Sequence, residues 1–211
     1  MESKVFLLAV FSIVLLGGCL SANNPAGPGE GSGLPSGTAA FDASQYNVFD
    51  QNGVKFYYPK YARISFGGTN AMVPAAQDAY GSEFSRIETT TVIFALNSGS
   101  IYFQKIRFPF GAGGPITREY CRLVAERLPV IENGTVSDVS VGKLGGLTAC
   151  KIAYQGTNLK FTLYYAVEGT ETYSATHYQS GDGTTAPATT ATELADFNIL
   201  VSSFEVTNEG Q

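Results

Sequence analysis

The sequence predicts an α+β domain in which helices pack on an antiparallel sheet. From about residue 45 onward, most segments alternate apolar and polar residues with the two-residue period of strands. Short breaks that contain Gly or Asn separate these segments, which is typical of antiparallel hairpins and meanders. Helical spacing of apolar residues occurs in two places, one in the middle of the chain and one near its end.

The first half of the domain is predicted to consist of strands joined by turns, followed by one helix. Asn52-Gly53 indicates a tight hairpin between the first two strands. Residues 67–82 have no clear period and are predicted to be a loop, as are the glycine-rich residues 110–114. Pro115 suits the first position of a helix, and Pro129 stops it. The predicted strands are 46–50, 54–58, 62–66, 85–96 and 100–108, and the predicted helix is 115–127.

The second half is predicted to hold four more strands and a C-terminal helix. Thr190-x-x-Glu193 is a capping box, in which each side chain bonds a backbone N–H at the start of a helix. Leu194, Phe197, Val201 and Phe204 are predicted to mark the buried face of that helix, and Leu123 belongs to the apolar stripe of the earlier one. The predicted strands are 135–142, 147–154, 158–167 and 171–178.

The N-terminus predicts export and lipid attachment. Residues 5–16 are apolar, but as a helix they would rise only ~18 Å, against a hydrocarbon core of ~30 Å. The stretch ends in Leu16-Gly17-Gly18-Cys19 and resembles a prokaryotic lipoprotein signal, in which a peptidase cuts before the cysteine and lipid is attached to it. Residues 1–18 are therefore predicted to be the signal peptide and Cys19 the lipidation site. The alternative is an ordinary cleaved signal or an uncleaved anchor with a free Cys19 thiol.

Residues 19–44 are predicted to be the lipidated cysteine and a flexible tether. Five glycines and three prolines lie between residues 25 and 37, and this composition buries too little apolar surface to offset the entropy of ordering. A tether of this length has an r.m.s. reach of about 25–30 Å, which would hold a domain near a lipid surface. Residues 45–206 are long enough for one domain with a core, and residues 207–211 form a tail.

Charge and residue types argue against several classes of function. The net charge is −5 and no basic cluster occurs, which argues against nucleic-acid binding and against adhesion to anionic lipid. One histidine and two distant cysteines do not have the spacing of metal ligands, and no cofactor motif is present. Neither a Ser/His/Asp pattern nor paired carboxylates stand out, so the chain is predicted not to be an enzyme.

Two covalent modifications of the exported domain are suggested besides lipidation. Cys121 and Cys150 are an even pair in an exported chain and are predicted to form a disulfide, the alternative being two buried thiols. Asn133-Gly134-Thr135 is a glycosylation sequon at Asn133, but it also fits a plain turn after the helix, and the turn is favoured.

Three further features of the sequence are candidates for a binding or catalytic role. His177 has no marked catalytic partner and is predicted to be a hydrogen-bonded core or edge residue. Residues 110–114 precede a helix N-terminus that can bind an anion, but a turn is favoured because the lysine of a phosphate loop is missing. Aromatic residues at strand ends and in this loop are predicted to form a contact patch: Tyr57, Tyr58, Tyr61, Phe108 and Phe110.

Four short motifs resemble the PsbP-like superfamily, including its bacterial lipoprotein members. They are residues 52–59 (NGVKFYYP), residues 144–149 (LGGLTA), Tyr173 and residues 199–204 (ILVSSF), in that order. The resemblance covers about residues 45–206, and Tyr61 stands near the place where the family commonly has a tryptophan. It implies a curved antiparallel sheet flanked by helices, an α/β/α layered domain, with no catalytic residue set to carry over.

The predicted function is that of a lipid-anchored protein on the extracytoplasmic face of a cell membrane. There the domain would act as a non-catalytic binding or scaffolding module of the cell envelope. Its expected partners are the membrane, through Cys19, and an envelope protein. The alternative is a lipoprotein that captures a small-molecule or lipidic ligand in a cleft between sheet and helix.

Overall fold

The computed structural model describes residues 41–67, 88–107, 115–126, 134–157, 159–180 and 190–207. Within these ranges the chain forms two antiparallel sheets, two α-helices and a short 3-10 turn at Ala43–Gln45. Strands predominate, so the α+β class is confirmed in its broad form. The elements are β1 (Tyr46–Gln51), β2 (Val54–Pro59), β3 (Arg63–Gly67), β4 (Glu88–Ala95), β5 (Ser100–Arg107), α1 (Arg118–Glu126), β6 (Thr135–Leu144), β7 (Leu147–Gln155), β8 (Leu159–Glu168), β9 (Glu171–Ser180), α2 (Ala191–Ser203) and β10 (Glu205–Val206).

The smaller sheet is built on the predicted first hairpin. Its strand order is β1-β2-β10, and both neighbours of β2 are antiparallel to it. The turn residues Asn52 and Gly53 have φ of 55° and 71°. Positive φ at both positions is the geometry of a type I′ turn, which matches the right-handed twist of the flanking strands. The Asn-Gly prediction is therefore confirmed.

The larger sheet has the order β3-β4-β5-β9-β8-β7-β6. The strands β6 to β9 form the predicted meander, and β9 then pairs with the whole length of β5. A bulge between Val136 and Asp138 interrupts the edge strand β6. The predicted loop at residues 67–82 was wrong at Gly67, which ends β3 and pairs with Thr91. Residues 68–82 and the predicted loop at 110–114 lie outside the described residues.

Buried apolar side chains form two clusters on opposite faces of the larger sheet. Ala149 and Ala166 belong to the first cluster, while their chain neighbours Cys150 and Tyr165 belong to the second. Since successive residues of a strand point to opposite faces, the two clusters are separated by the sheet. The first cluster joins α2 and both sheets, and the second holds α1.

Helix α1 is tied to the sheet by the predicted disulfide, which is confirmed between Cys121 and Cys150. The helix begins at Arg118 rather than at Pro115, because the Thr117 hydroxyl accepts the Tyr120 N–H at 3.1 Å and caps the first turn. The predicted apolar stripe was wrong at Leu123, which is 43% exposed. The face that carries Cys121 points inward instead.

Helix α2 begins as predicted, after the cap residue Thr190, whose hydroxyl accepts the Glu193 N–H at 3.2 Å. The other half of the capping box takes a different partner, since the Glu193 carboxylate accepts hydrogen bonds from Ser98. The predicted buried face was wrong at Leu194, which is exposed. No helix among the described residues is long and apolar enough to cross a membrane.

Candidate functional site

The predicted aromatic patch is divided by the pleat of β2. Tyr57 and Tyr58 are successive strand residues, so their side chains point to opposite faces. Tyr58 is only 6% exposed and its ring lies 4.9 Å from the ring of Phe94, which makes it a core residue. Its assignment to an exposed patch was wrong. Phe108 and Phe110 lie outside the described residues.

Tyr57 and Tyr61, the two other described residues of the predicted patch, share a surface with two residues that were not predicted. We call this surface the aromatic platform, and its members are Phe41, Tyr46, Tyr57 and Tyr61. The Phe41 ring stacks on Tyr46 and meets Tyr57 edge-on, with 5.2 Å between ring centroids in both pairs. The register of β1 with β2 places Tyr46 and Tyr57 on the same face. Aromatic pairs at this spacing attract each other beyond their area burial.

Sequence reasoning missed Phe41 and Tyr46, and it placed the domain boundary too late. Phe41 was assigned to the tether, yet its ring packs on the domain, and Asp42 caps the 3-10 turn by accepting the Ser44 N–H at 2.9 Å. The available signal was the aromatic residue that directly follows the Gly/Pro-rich stretch. The structured domain therefore includes residues 41–44, which the prediction gave to the tether.

A buried carboxylate on α2 sets the orientation of two platform tyrosines. The hydroxyls of Tyr46 and Tyr61 donate to the two oxygens of Asp196, at 2.6 and 2.5 Å. Burial raises the pKa of both tyrosines well above the usual value and is the largest cause. The hydrogen bond to the Asp196 carboxylate and its negative charge raise the pKa further. Their hydroxyls therefore stay protonated and face the protein. Tyr61 is nevertheless 43% exposed as a residue.

A second buried carboxylate fixes the first turn of α2 to the turn between β4 and β5. Glu193 accepts the Ser98 backbone N–H at 2.7 Å and also the Ser98 hydroxyl. Its position in the first turn also places its negative charge at the positive end of the helix dipole. The partners are 95 residues apart in the chain, so this contact positions α2 over the sheet.

His177 lies beneath α2 as a core residue, as predicted, with 3% of its surface exposed. Its ring stacks on Phe197 with 5.4 Å between centroids. The prediction that it is hydrogen-bonded was wrong for Nε2, which has no hydrogen-bond partner among the described residues. Burial lowers the pKa of His177, against the opposing charge of Glu193, so the imidazole is neutral near pH 7.

A separate polar network joins the two sheets. The Glu171 Oε1 atom lies 3.2 Å from Lys105 Nζ and 2.7 Å from Arg107 Nη2, and Lys105 Nζ donates to the Asn52 carbonyl at 2.8 Å. Burial acts to raise the pKa of Glu171, but hydrogen bonds from Tyr173, Arg107 and Lys105 outweigh it and hold the pKa below its usual value. This network supports the β1–β2 turn.

The other predicted sites are not part of this arrangement. Cys19, Asn133 and the glycine-rich residues 110–114 lie outside the described residues. Within the described part of the chain, no group of three His, Cys, Asp or Glu side chains is placed to hold a metal ion. What the described residues bring together is therefore an apolar aromatic surface backed by two fixed carboxylates.

Comparison with known proteins adds little to this geometry. Neither a family profile nor a curated protein matches the chain. The solution structure of cyanobacterial PsbP (CyanoP) from Synechocystis sp. PCC 6803 is 11% identical, with a TM-score of 0.48, over 87% of this chain and 99% of that one. A crystal structure from Bacteroides thetaiotaomicron VPI-5482 is 11% identical, with a TM-score of 0.34, over 80% of this chain and 44% of that one. TM-scores this low carry no argument for a shared family, so the PsbP-like assignment stays a prediction.

Proposed function

We propose that this protein is a lipoprotein of the extracytoplasmic face of a cell membrane, where it acts as a non-catalytic binding or scaffolding module. The observation that carries the proposal is Cys19 at the end of a short apolar N-terminal stretch. The diacylglyceryl group that such a signal implies has two acyl chains, and two anchors are what stable attachment requires. The Cys121–Cys150 disulfide supports an oxidising, extracytoplasmic compartment.

The domain is held at the membrane by a tether and meets its partner there. A Gly/Pro-rich segment of this length holds the domain at an r.m.s. distance of about 25–30 Å from the lipid, which favours proteins of the cell envelope as partners. The proposal includes a PsbP-like domain with a curved sheet between helices. The four sequence motifs described above support that part of it.

Capture of a small-molecule or lipidic ligand between sheet and helix is the second candidate. Within the described residues, aromatic rings fill the space between α2 and the sheets. Phe204 lies 5.7 Å from Phe103 and 6.5 Å from Phe56 between ring centroids, and Tyr164 lies 5.9 Å from Phe197. A ligand at this interface would have to displace well-packed rings, which costs packing energy. We therefore favour the scaffolding function.

The test compares the native protein with a Cys19→Ser variant in intact cells. The native protein is expected in the membrane fraction, with a lipid mass on the peptide that begins at Cys19. The variant is expected to leave that fraction. Equal distribution of the two proteins between membrane and soluble fractions would contradict the anchor.

Cross-linking of the same cells, followed by mass spectrometry, tests the scaffolding part of the proposal. A specific partner attached only to the anchored protein is the expected result. If neither form yields a partner, the scaffolding role fails and ligand capture becomes the better account. Native mass spectrometry of the purified protein would then search for a co-purifying small molecule.

A further inference from the structure

We propose that the aromatic platform rests on the lipid–water interface of the membrane and holds the domain in one orientation. The occupant is the surface of a zwitterionic phospholipid bilayer. This inference rests on the proposed lipid anchor at Cys19 and deepens it, because it names the part of the domain that faces the bilayer. The surfaces of the domain away from the platform would then be presented to a protein partner.

The chemistry of the platform favours contact with lipid. A typical exposed tyrosine presents its hydroxyl to water, whereas the hydroxyls of Tyr46 and Tyr61 are both occupied by Asp196. Tyr61 is 43% exposed, and Asp196 links it to Tyr46, whose ring stacks on the half-buried ring of Phe41. Placing this ring surface in the interfacial region of a bilayer is favourable because it removes apolar area from water.

The predicted tether meets the domain at the platform. It starts at Cys19 and ends at Phe41, whose ring is itself part of the platform. The platform is thus the part of the described domain to which the anchored segment connects. A linker of some 20 residues with an r.m.s. reach of about 25 Å gives an effective concentration of order mM at the attached surface. A contact too weak to bring a free domain to a membrane is therefore populated in the anchored protein.

The charges near the platform select the class of lipid. Asp42 and Lys60 carry opposite charges at the rim of the platform, near enough to interact. These two charges offset each other, whereas Asp196 and Glu193 behind the platform are negative and the whole chain has a net charge of −5. An anionic lipid surface would repel such a chain, whereas a zwitterionic surface would not. The expected surface is accordingly one of phosphatidylcholine or another lipid without net charge.

A matched control surface exists on the opposite face of the larger sheet. Leu123 on α1 is 43% exposed, the same fraction as Tyr61. It packs with neither the platform nor α2, because α1 belongs to the second core cluster. A reporter at Leu123 is therefore as exposed as one at Tyr61 but lies away from the platform.

The experiment uses the absence of tryptophan from the chain, since any introduced tryptophan is the only one. Tyr61→Trp and Phe41→Trp place the reporter on the platform, and Leu123→Trp places it on the control surface. Each mature lipidated protein is reconstituted into phosphatidylcholine vesicles with brominated or unbrominated acyl chains. The two platform variants are expected to lose fluorescence in brominated vesicles and to emit at shorter wavelength. The Leu123→Trp variant is expected to do neither.

The outcomes separate failure of the inference from failure of the proposed anchor. Proteins that float with the vesicles but show no quenching, or equal quenching at all three positions, would overturn the platform inference alone. Proteins that do not float, and that lack lipid on Cys19, would overturn the anchor and the platform with it. Phe41→Trp keeps the Tyr61–Asp196 hydrogen bond, so it decides the question if Tyr61→Trp misfolds. Replacing phosphatidylcholine by phosphatidylglycerol is expected to reduce the quenching.

Discussion

Asp196 is the residue on which the geometry of the platform depends. It is buried, and its two oxygens accept the hydroxyls of Tyr46 and Tyr61. A buried carboxylate is tolerated only where hydrogen bonds or an opposite charge compensate the loss of water. Here two phenols provide that compensation, and in return the carboxylate turns both hydroxyls away from solvent.

Replacing the carboxylate should weaken both bonds at once. We expect Asp196→Asn to lower the free energy of unfolding by about 1–3 kcal/mol, because hydrogen bonds to a charged acceptor are stronger than those to an amide. Urea denaturation measures this. Asp50→Asn is the control, since Asp50 is exposed on β1 and its change should stay within about 0.5 kcal/mol. Equal effects of the two variants would contradict the role of Asp196.

The same variant should change the alkaline titration. A tyrosine whose folded pKa is raised stabilises the fold below its unfolded pKa of about 10 and loses that contribution as the pH rises further. In Asp196→Asn the pKa values of Tyr46 and Tyr61 should fall towards the usual value, because the neighbouring negative charge is gone. Absorbance of tyrosinate against pH reports this, and an unchanged titration curve would argue against the hydrogen bonds.

His177 should make the fold sensitive to mild acid. Its folded pKa is lowered by burial, with Glu193 of α2 opposing the shift and Lys160 of β8 adding to it. Between about pH 7.5 and about pH 5.5 the unfolded chain therefore binds more protons than the folded one, and stability falls as the pH falls. His177→Phe keeps a ring against Phe197 and removes the only histidine, so it should lose less stability over this range. Urea unfolding of the native protein and of His177→Phe at both pH values measures this difference. Identical losses of unfolding free energy in the two proteins would contradict the lowered pKa of His177.

At the scale of elements, α2 is fixed at several points by partners far away in the chain. Glu193 bonds to the β4–β5 turn, Ser203 accepts the Tyr57 N–H at 3.0 Å, and the Val201 carbonyl accepts the Gly145 N–H at 2.7 Å. The last contact brings the β6–β7 turn against the end of the helix. These bonds keep Asp196 at a fixed position under the platform.

Gly145 is required by this close approach. It has φ of +56°, and a Cβ atom at this position would lie 1.6 Å from the Phe204 carbonyl oxygen. We expect Gly145→Ala to cost more than the ~1–2 kcal/mol of the left-handed backbone alone, because the helix end must also move. Gly146→Ala is the matched control, since a Cβ there meets nothing within 4 Å. Thermal or urea unfolding of the two variants should therefore differ clearly, and similar stabilities would contradict the packing.

At the scale of the whole molecule, the described structure is two clusters of apolar side chains separated by one sheet. The first cluster joins both sheets to α2, and the Lys105–Asn52 bond adds a polar link between the sheets. The second cluster holds α1, which the Cys121–Cys150 disulfide joins covalently to β7. Helix α1 therefore depends on the disulfide more than α2 does.

Removing the disulfide should destabilise the fold mainly through the unfolded chain. The bridge joins residues 29 apart, for which the chain-entropy model gives about 3–4 kcal/mol. Reduction of the native protein, or a double change of Cys121→Ala and Cys150→Ala, should lower the free energy of unfolding by that order. Hydrogen exchange should show loss of protection in α1 before α2. The double variant should not respond to reductant, and an unchanged stability of the reduced native protein would contradict the expectation.

Much of the secondary structure could be predicted from local sequence features. Strand positions follow from the two-residue period, the first hairpin from Asn52-Gly53, and the start of α2 from Thr190. These predictions succeeded because the backbone conformation they concern is decided within a few residues. The cysteine pair also sufficed for the disulfide, since the chain offers no other pairing between residues 45 and 206.

Only the tertiary structure decided which side chains form the site. Tyr57 and Tyr61 were predicted, but Asp196 lies 150 residues from Tyr46 and 135 from Tyr61, and no local pattern indicates that they meet. The tertiary structure also decided three other features. These are the pairing of β9 with β5, the hydrogen bonds of Glu193 to Ser98, and the exposure of Leu123. Each depends on how distant segments pack, because burial and hydrogen-bond partners are properties of the assembled fold and not of the residues near them in sequence.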